Sequence, residues 1–236
     1  MIHMMDWTEV DWLYSGRRIV EWTRDSPSDS SLLLFLRHSH REQIDDVETM
    51  VTGELTEIGK HFSTELGRRL PTDRPYRVFT SIVPRSFQTA EAIVEGITEN
   101  GGAVRDIEAL SVLMGPHVSE KEVWTNLHPD GENVTKFVNH WAGGRFGEKM
   151  EPFDEYIPRL LGDTFGRMHS TDATEVHLHV THDLAMMCMK RAIFRRAVVP
   201  SDREPFLGGL AAKITGSEFQ ILVGCDGKKM RLSYGD

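Results

Sequence analysis

The chain has 236 residues, 39% of them hydrophobic and 27% charged, with a formal net charge of -9. Such a length can bury a core as one domain, and the balance of apolar and charged residues excludes a disordered or membrane chain. The acidic charge, with no basic run interleaved with aromatics, argues against nucleic acid as a partner, and the longest apolar run, Leu32 to Leu36, is too short to span a membrane.

The opening residues carry Asp6 and Glu9 and no basic start, so no export signal is read. Cys188 and Cys225 form no disulfide framework and no repeated metal spacing, which fits a reducing cytoplasm. Trp7, Trp12 and Trp22 precede a turn-rich Asp25-Ser26-Pro27-Ser28-Asp29 stretch, which predicts a short amphipathic helix and then a linker. Ser31 to Leu36 reads as a central strand buried on both faces, ending in Arg37-His38.

Leu55, Ile58, Phe62, Leu66 and Leu70 step by three and four, and Thr56-Glu57 supplies the start of a helix of about four turns. Arg77 to Thr80 predicts a second strand, and Pro84 fits the first turn of a helix reaching about Ile97, which puts Arg85 at a strand-to-helix junction. Asn100-Gly101-Gly102 closes that helix, and Ala103 to Leu113 is a third extended segment. Gly115 to Glu151 has no clean period and reads as an inserted lid with short helices. Phe153 to Met168 predicts a helix, Glu175 to Thr181 a strand ending at His182-Asp183, and Leu184 to Arg195 the next helix. Gly209 to Thr215 and Phe219 to Val223, joined by Gly216-Ser217, read as a terminal hairpin.

Alternating strands and helices predict an α/β three-layer sandwich, with a mostly parallel central sheet flanked by helices and ligands bound beyond the carboxyl ends of the strands. The expectation is a single domain over residues 1–236 with a lid at 115–151. Three strand ends carry Arg37-His38, Arg85 and His182-Asp183. Phosphoryl transfer needs an in-line nucleophile, cationic donors for the equatorial oxygens and an acid for the leaving oxygen, and arginine forks and imidazoles suit these tasks.

In this order and context, Leu34-Phe35-Leu36-Arg37-His38, Leu55-Thr56-Glu57-Ile58-Gly59, Pro84-Arg85-Ser86-Phe87-Gln88-Thr89-Ala90 and Val180-Thr181-His182-Asp183 resemble the histidine phosphatase superfamily. That group includes cofactor-dependent phosphoglycerate mutases and histidine acid phosphatases. The resemblance spans about residues 31 to 196. It implies that His38 is the phosphorylated nucleophile, that Arg37, Arg85 and His182 bind the phosphoryl oxygens, and that Arg41 adds a further donor. It also implies that Asp183, directly after the second histidine, is the acid.

Two departures stand out. Ser39 follows His38 where the family has glycine, which would put a side chain near the phosphate, and Val112 aligns with the glutamate that serves as acid in the mutase-like branch. Glu108 and Glu120 are the nearby alternatives to Asp183.

The resemblance therefore predicts a metal-independent, cofactor-free phosphohydrolase acting on a small phosphorylated substrate. Three other readings stay open: a phosphomutase, a non-catalytic phosphate-binding module, and a metal hydrolase using His38-Ser39-His40 with His177, His179 and His182. Oligomeric state is left open.

Overall fold

The apolar run Leu32 to Leu36 lies at the centre of a seven-stranded sheet. The computed structural model describes residues 6–44, 46–169, 174–215 and 218–233. In β1 (Leu32–Arg37), Leu33 and Phe35 enter one hydrophobic core while Leu32, Leu34 and Leu36 enter the other. A strand sends alternate side chains to opposite faces, so burial on both faces requires an unbroken apolar run.

β1 pairs in parallel with β4 (Val176–Thr181), which pairs with β2 (Tyr76–Thr80), and β2 pairs with β3 (Val104–Ala109) at the edge. On the other side β1 pairs antiparallel with β5 (Gly209–Thr215), followed by β6 (Glu218–Val223) and β7 (Lys229–Ser233). The sheet is thus mixed, with a parallel half and an antiparallel half. The predicted terminal hairpin is extended by β7, a short edge strand in which Met230 and Leu232 alternate with the charged Lys229 and Arg231 and pack against the core. Gly216-Ser217, the expected hairpin turn, lies outside the described residues.

One face is covered by α1 (Tyr14–Arg24), α3 (Glu57–Arg69) and α4 (Pro84–Glu99), the other by α5 (Val134–Ala142), α6 (Phe153–Leu161) and α8 (Asp183–Phe194). Thr56 caps α3 by accepting from the Gly59 N–H at 3.1 Å. The expected helix from Phe153 to Met168 is interrupted after α6 by a π turn at Gly162–Gly166, then resumes as α7 (Arg167–His169). Two glycines, poor helix formers, bound the irregular turn.

Contact between α3 and α4 is close enough that a Cβ at Gly96 would stand 2.0 Å from the Thr64 carbonyl oxygen. A side chain there would force the helices apart and displace Arg85 with the start of α4. Gly59 plays a similar part at the start of α3, where a Cβ would stand 2.0 Å from the His40 carbonyl oxygen and push away the loop after β1.

The segment from Gly115 to Glu151 contains a 3₁₀ turn at Lys121–Leu127, α5, and a second turn at Gly147–Lys149. Val123, Leu127, Val134, Phe137 and Trp141 join the core beneath α8, so this segment is packed onto the sheet layer. A short helix, α2 (Val47–Thr52), is absent from the sequence reading. Its start is capped by Asp46, which accepts from the Thr49 N–H at 2.7 Å while the Thr49 hydroxyl accepts from the Asp46 N–H at 3.1 Å. Among the described residues no helix is long and apolar enough to cross a membrane.

Candidate active site

Sheet register brings the two motif histidines together. Arg37 of β1 lies opposite Thr181 of β4, so the next residues, His38 and His182, leave the sheet side by side with ring centroids 5.3 Å apart. Thr80 of β2 lies opposite Val180, which sets Ser81 beside His182, its Oγ 2.8 Å from Nε2. Three residues later Pro84 opens α4, and Arg85 in the first turn points back over both rings.

One guanidinium joins the group. Arg85 donates from Nε to His38 Nε2 at 3.2 Å, from Nη2 to His182 Nδ1 at 3.2 Å, and from Nη1 to the Met50 carbonyl at 2.7 Å. Arginine only donates, so both facing imidazole nitrogens carry lone pairs. Nδ1 of His38 is 2.8 Å from the Ser39 carbonyl oxygen, which only accepts, so the His38 proton sits on Nδ1 and Nε2 is free to act as a base or nucleophile. Burial, followed by the charge of Arg85, holds both histidines well below their ordinary value near 6.5. Each is neutral at neutral pH.

Arg41 and Arg37 add charge at the same place. Arg41 donates to the Glu42 carbonyl at 2.6 Å and pairs with Asp130 at 2.7 Å; Asp130 also accepts from the Ile44 N–H at 2.9 Å. Arg37 donates to the Glu204 carbonyl at 2.8 Å, lies 3.4 Å from Asp183 and packs over the Phe206 ring at 4.5 Å. Nε of Arg37 and Nε of Arg41 are buried with no protein acceptor. Burial brings Arg37 and Arg85 down to about 10, where both remain charged at neutral pH.

Asp183 is the first residue of α8 and makes no capping bond; His182 occupies the cap position. Its Oδ2 accepts from Arg203 at 3.1 and 2.6 Å. Burial pushes the carboxyl up, but Arg37 and Arg203 outweigh it and hold it at about 2.

His38, Arg41, Arg85, His182 and Asp183 line one cavity of about 120 Å³ together with Ile44, Met50, Val51, Met114, Trp124, Leu127 and His128. Arg37 does not line it and reaches it through Asp183. The alternative acids are elsewhere: Glu108 pairs with Arg167 at 3.3 Å, Glu120 with Lys149 at 2.7 Å, and Val112 is core.

No family model and no curated protein matches the sequence. Solved structures do match. YhfR from Bacillus stearothermophilus is 17% identical, with 87% of this chain and 97% of that one covered and a TM-score of 0.53. A candidate alpha-ribazole-5'-P phosphatase from Escherichia coli is 15% identical, with 82% and 95% covered and a TM-score of 0.55. The product of open reading frame Rv3214 from Mycobacterium tuberculosis is 16% identical, with 82% and 96% covered and a TM-score of 0.50. The fold is that of the histidine phosphatases.

Within the histidine phosphatase fold Ser39 does not intrude on the cavity. Its hydroxyl donates to the Gly59 carbonyl at 2.7 Å, its N–H donates to the Thr89 hydroxyl at 3.0 Å, and the side chain is fully buried. The metal-ligand arrangement does not assemble either. His40 bonds the Thr56 hydroxyl and packs on Trp12 and Phe206, while His177 bonds Glu175 at 2.6 Å. His179 stacks on Phe79 at 4.6 Å. Among the described residues no three His, Cys, Asp or Glu side chains converge as a ligand set.

Sequence reasoning missed Ser81, His128, Asp130, Arg203, the Met50 carbonyl and the loop carrying Glu204 and Phe206. The last is held by a buried cluster in which Lys190 donates to Glu204 at 2.6 Å and to the Asp202 carbonyl at 2.6 Å, while the Ser15 hydroxyl bonds the other Glu204 oxygen. Lys190→Met would leave the Glu204 carboxylate buried without its cation, an expected loss of roughly 3 to 5 kcal/mol in urea unfolding. A loss under about 1 kcal/mol would mean the pair contributes little to the folded state.

Proposed function

We propose that the protein is a metal-independent phosphohydrolase of phosphate monoesters that works through a phosphohistidine at His38. The observation that carries this reading is the fork of Arg85, bonded at once to the Nε2 lone pair of His38 and to His182. It puts a neutral nucleophile and an oxyanion donor at one point. Four guanidiniums, Arg37, Arg41, Arg85 and Arg203, face two carboxylates, Asp130 and Asp183. The surplus of two positive charges matches one phosphoryl dianion.

In this mechanism the phosphoryl oxygens take the donors of Arg85 and the acceptor-less Nε–H of Arg41, Arg37 adds its charge from behind Asp183, and His38 Nε2 is released to attack phosphorus in line with the ester oxygen. The P–O bond breaks as the N–P bond forms, and the leaving oxygen takes a proton. Water then attacks the phosphohistidine, returning free His38 and inorganic phosphate. We assign the proton to Asp183, the one carboxylate among the described residues lining the cavity. Asp183 is ionised in the free protein and takes up its proton from solvent as the substrate binds, because an arriving dianion adds negative charge beside it and raises the carboxyl pKa; the same carboxylate then accepts a proton from the attacking water. The reading treats the chain as a single domain whose 115–151 segment caps the site.

The test is hydrolysis of an alkyl and an aryl phosphate in the presence of a chelator, by the parent protein and by Asp183→Asn. Both esters should turn over with the chelator present, and the variant should slow the alkyl ester by roughly a hundredfold while sparing the initial burst from the aryl ester, whose leaving group needs little protonation. Activity that disappears with chelator and returns with zinc would refute the metal-independent reading. Equal slowing of both bursts would remove Asp183 as the acid.

A further inference from the structure

The rest of the cavity lining is largely apolar. Ile44, Met50 and Val51 come from the segment after β1, and Met114, Trp124 and Leu127 from the segment after β3. Trp124 stacks on Phe137 at 6.0 Å with the rings nearly parallel. Val51 and Met114 stand 47% and 40% exposed, two of the few large apolar side chains that this protein leaves in water. Among the described residues lining this outer part, His128 alone carries a polar side chain, and no lysine or further arginine is present.

Charge outside the phosphoryl locus has the wrong sign for a second anion. Asp46 and Glu48 stand at the start of α2, the helix that carries Met50 and Val51. Asp130 is already paired with Arg41. A carboxylate or second phosphate on the substrate would therefore lose water in an apolar slot, where Arg203, which borders the cavity at Gly131, is already paired with Asp183.

We propose that the substrate is the monophosphate of an uncharged, apolar alcohol, and that this slot selects against any alcohol bearing a second anionic group. The proposal rests on the assignment of the cavity as a phosphoryl site. It also separates the protein from a mutase, whose phosphoryl acceptor would be a second anionic sugar or acid of the kind the slot rejects.

The experiment pairs compounds that share one alcohol and differ in a terminal carboxylate: hexyl phosphate and 6-phosphonooxyhexanoate as substrates, hexylphosphonate and 6-phosphonohexanoate as non-hydrolysable ligands measured by calorimetry. The uncharged member should have a kcat/KM, and an affinity as the phosphonate, larger by about tenfold or more, since apolar pocket contacts commonly discriminate by roughly 10- to 200-fold. Met114→Lys, which puts a cation on the rim, should narrow or reverse the ratio. If hexylphosphonate binds tighter while neither ester is hydrolysed, the phosphohydrolase reading fails and only the slot's selection against a second anion stands. If both esters turn over with equal efficiency, or the carboxylated pair is preferred, the substrate class is overturned and the phosphohydrolase reading stands. If neither phosphonate binds, both are overturned.

Discussion

Replacing His38 with alanine is expected to reduce turnover by roughly 10⁴-fold or more, the scale seen when the nucleophile of a catalytic unit is removed. On the proposed mechanism the substitution deletes the attacking Nε2, and neither Ser39 nor His182 is placed to substitute for it. The nearest hydroxyl in sequence, on Ser39, is buried and committed to the Gly59 carbonyl. His182 has Nδ1 turned toward Arg85 and Nε2 toward Ser81. Phosphate binding should survive, because Arg37, Arg41 and Arg85 remain, so the variant should bind inorganic phosphate with near-parent affinity in calorimetry while failing to hydrolyse esters. An unchanged far-ultraviolet spectrum would exclude unfolding as the cause. Retention of more than a tenth of parent activity would remove His38 from the reaction.

Acidification should destabilise the fold steeply below pH 6.5. His38, His177, His179 and His182 are all buried in the parallel half of the sheet or at its end, and burial lowers each of them, His179 to about 3. Glu175 partly offsets the shift of His177. In the unfolded chain each imidazole takes a proton near its ordinary value, whereas in the folded chain it stays neutral, so below that value the unfolded state binds more protons. Stability is therefore full above about pH 6.5 and falls as the pH drops toward the folded values. His179, held at about 3, alone costs about 2 kcal/mol by pH 5, and the lowered His38, His177 and His182 act in the same direction. Urea unfolding at pH 7.5, 6 and 5 measures the slope. His179→Phe, which keeps the stack on Phe79 and removes two ring nitrogens without partners, should lessen it by about one proton. A stability unchanged between pH 7.5 and 5 would mean that these rings take up protons in the folded state.

The parts of the site that were legible in the sequence lie at junctions written locally. Leu32 to Leu36 is a run that only a doubly buried strand explains, so Arg37-His38 had to lie at a strand end, and Pro84 marked the helix start that carries Arg85. The strand before His182 was equally plain. What no local pattern encodes is contact across the sheet. Glu204 and Phe206 reach Arg37 because β5 runs antiparallel beside β1, and Arg203 reaches Asp183 from the same loop. Asp130 meets Arg41 from a segment without periodicity. The concern over Ser39 came from the same blindness, since only the approach of α3 reveals the carbonyl that takes its hydroxyl. One element was recoverable: the spacing of Asp46 and Thr49 is a helix-start signal that would have placed α2, and with it Met50 and Val51 on the cavity wall.

The central claim is a covalent phosphohistidine, and the direct measurement is to mix the protein with a rapidly reacting aryl phosphate, quench within milliseconds under alkaline conditions that preserve N–P bonds, and locate the phosphate by peptide mass spectrometry. The account predicts phosphate on His38, stoichiometric with the burst of released phenol and absent from His38→Ala. Hydrolysis at parent rates with no phosphopeptide, or with phosphate on a serine, would contradict it.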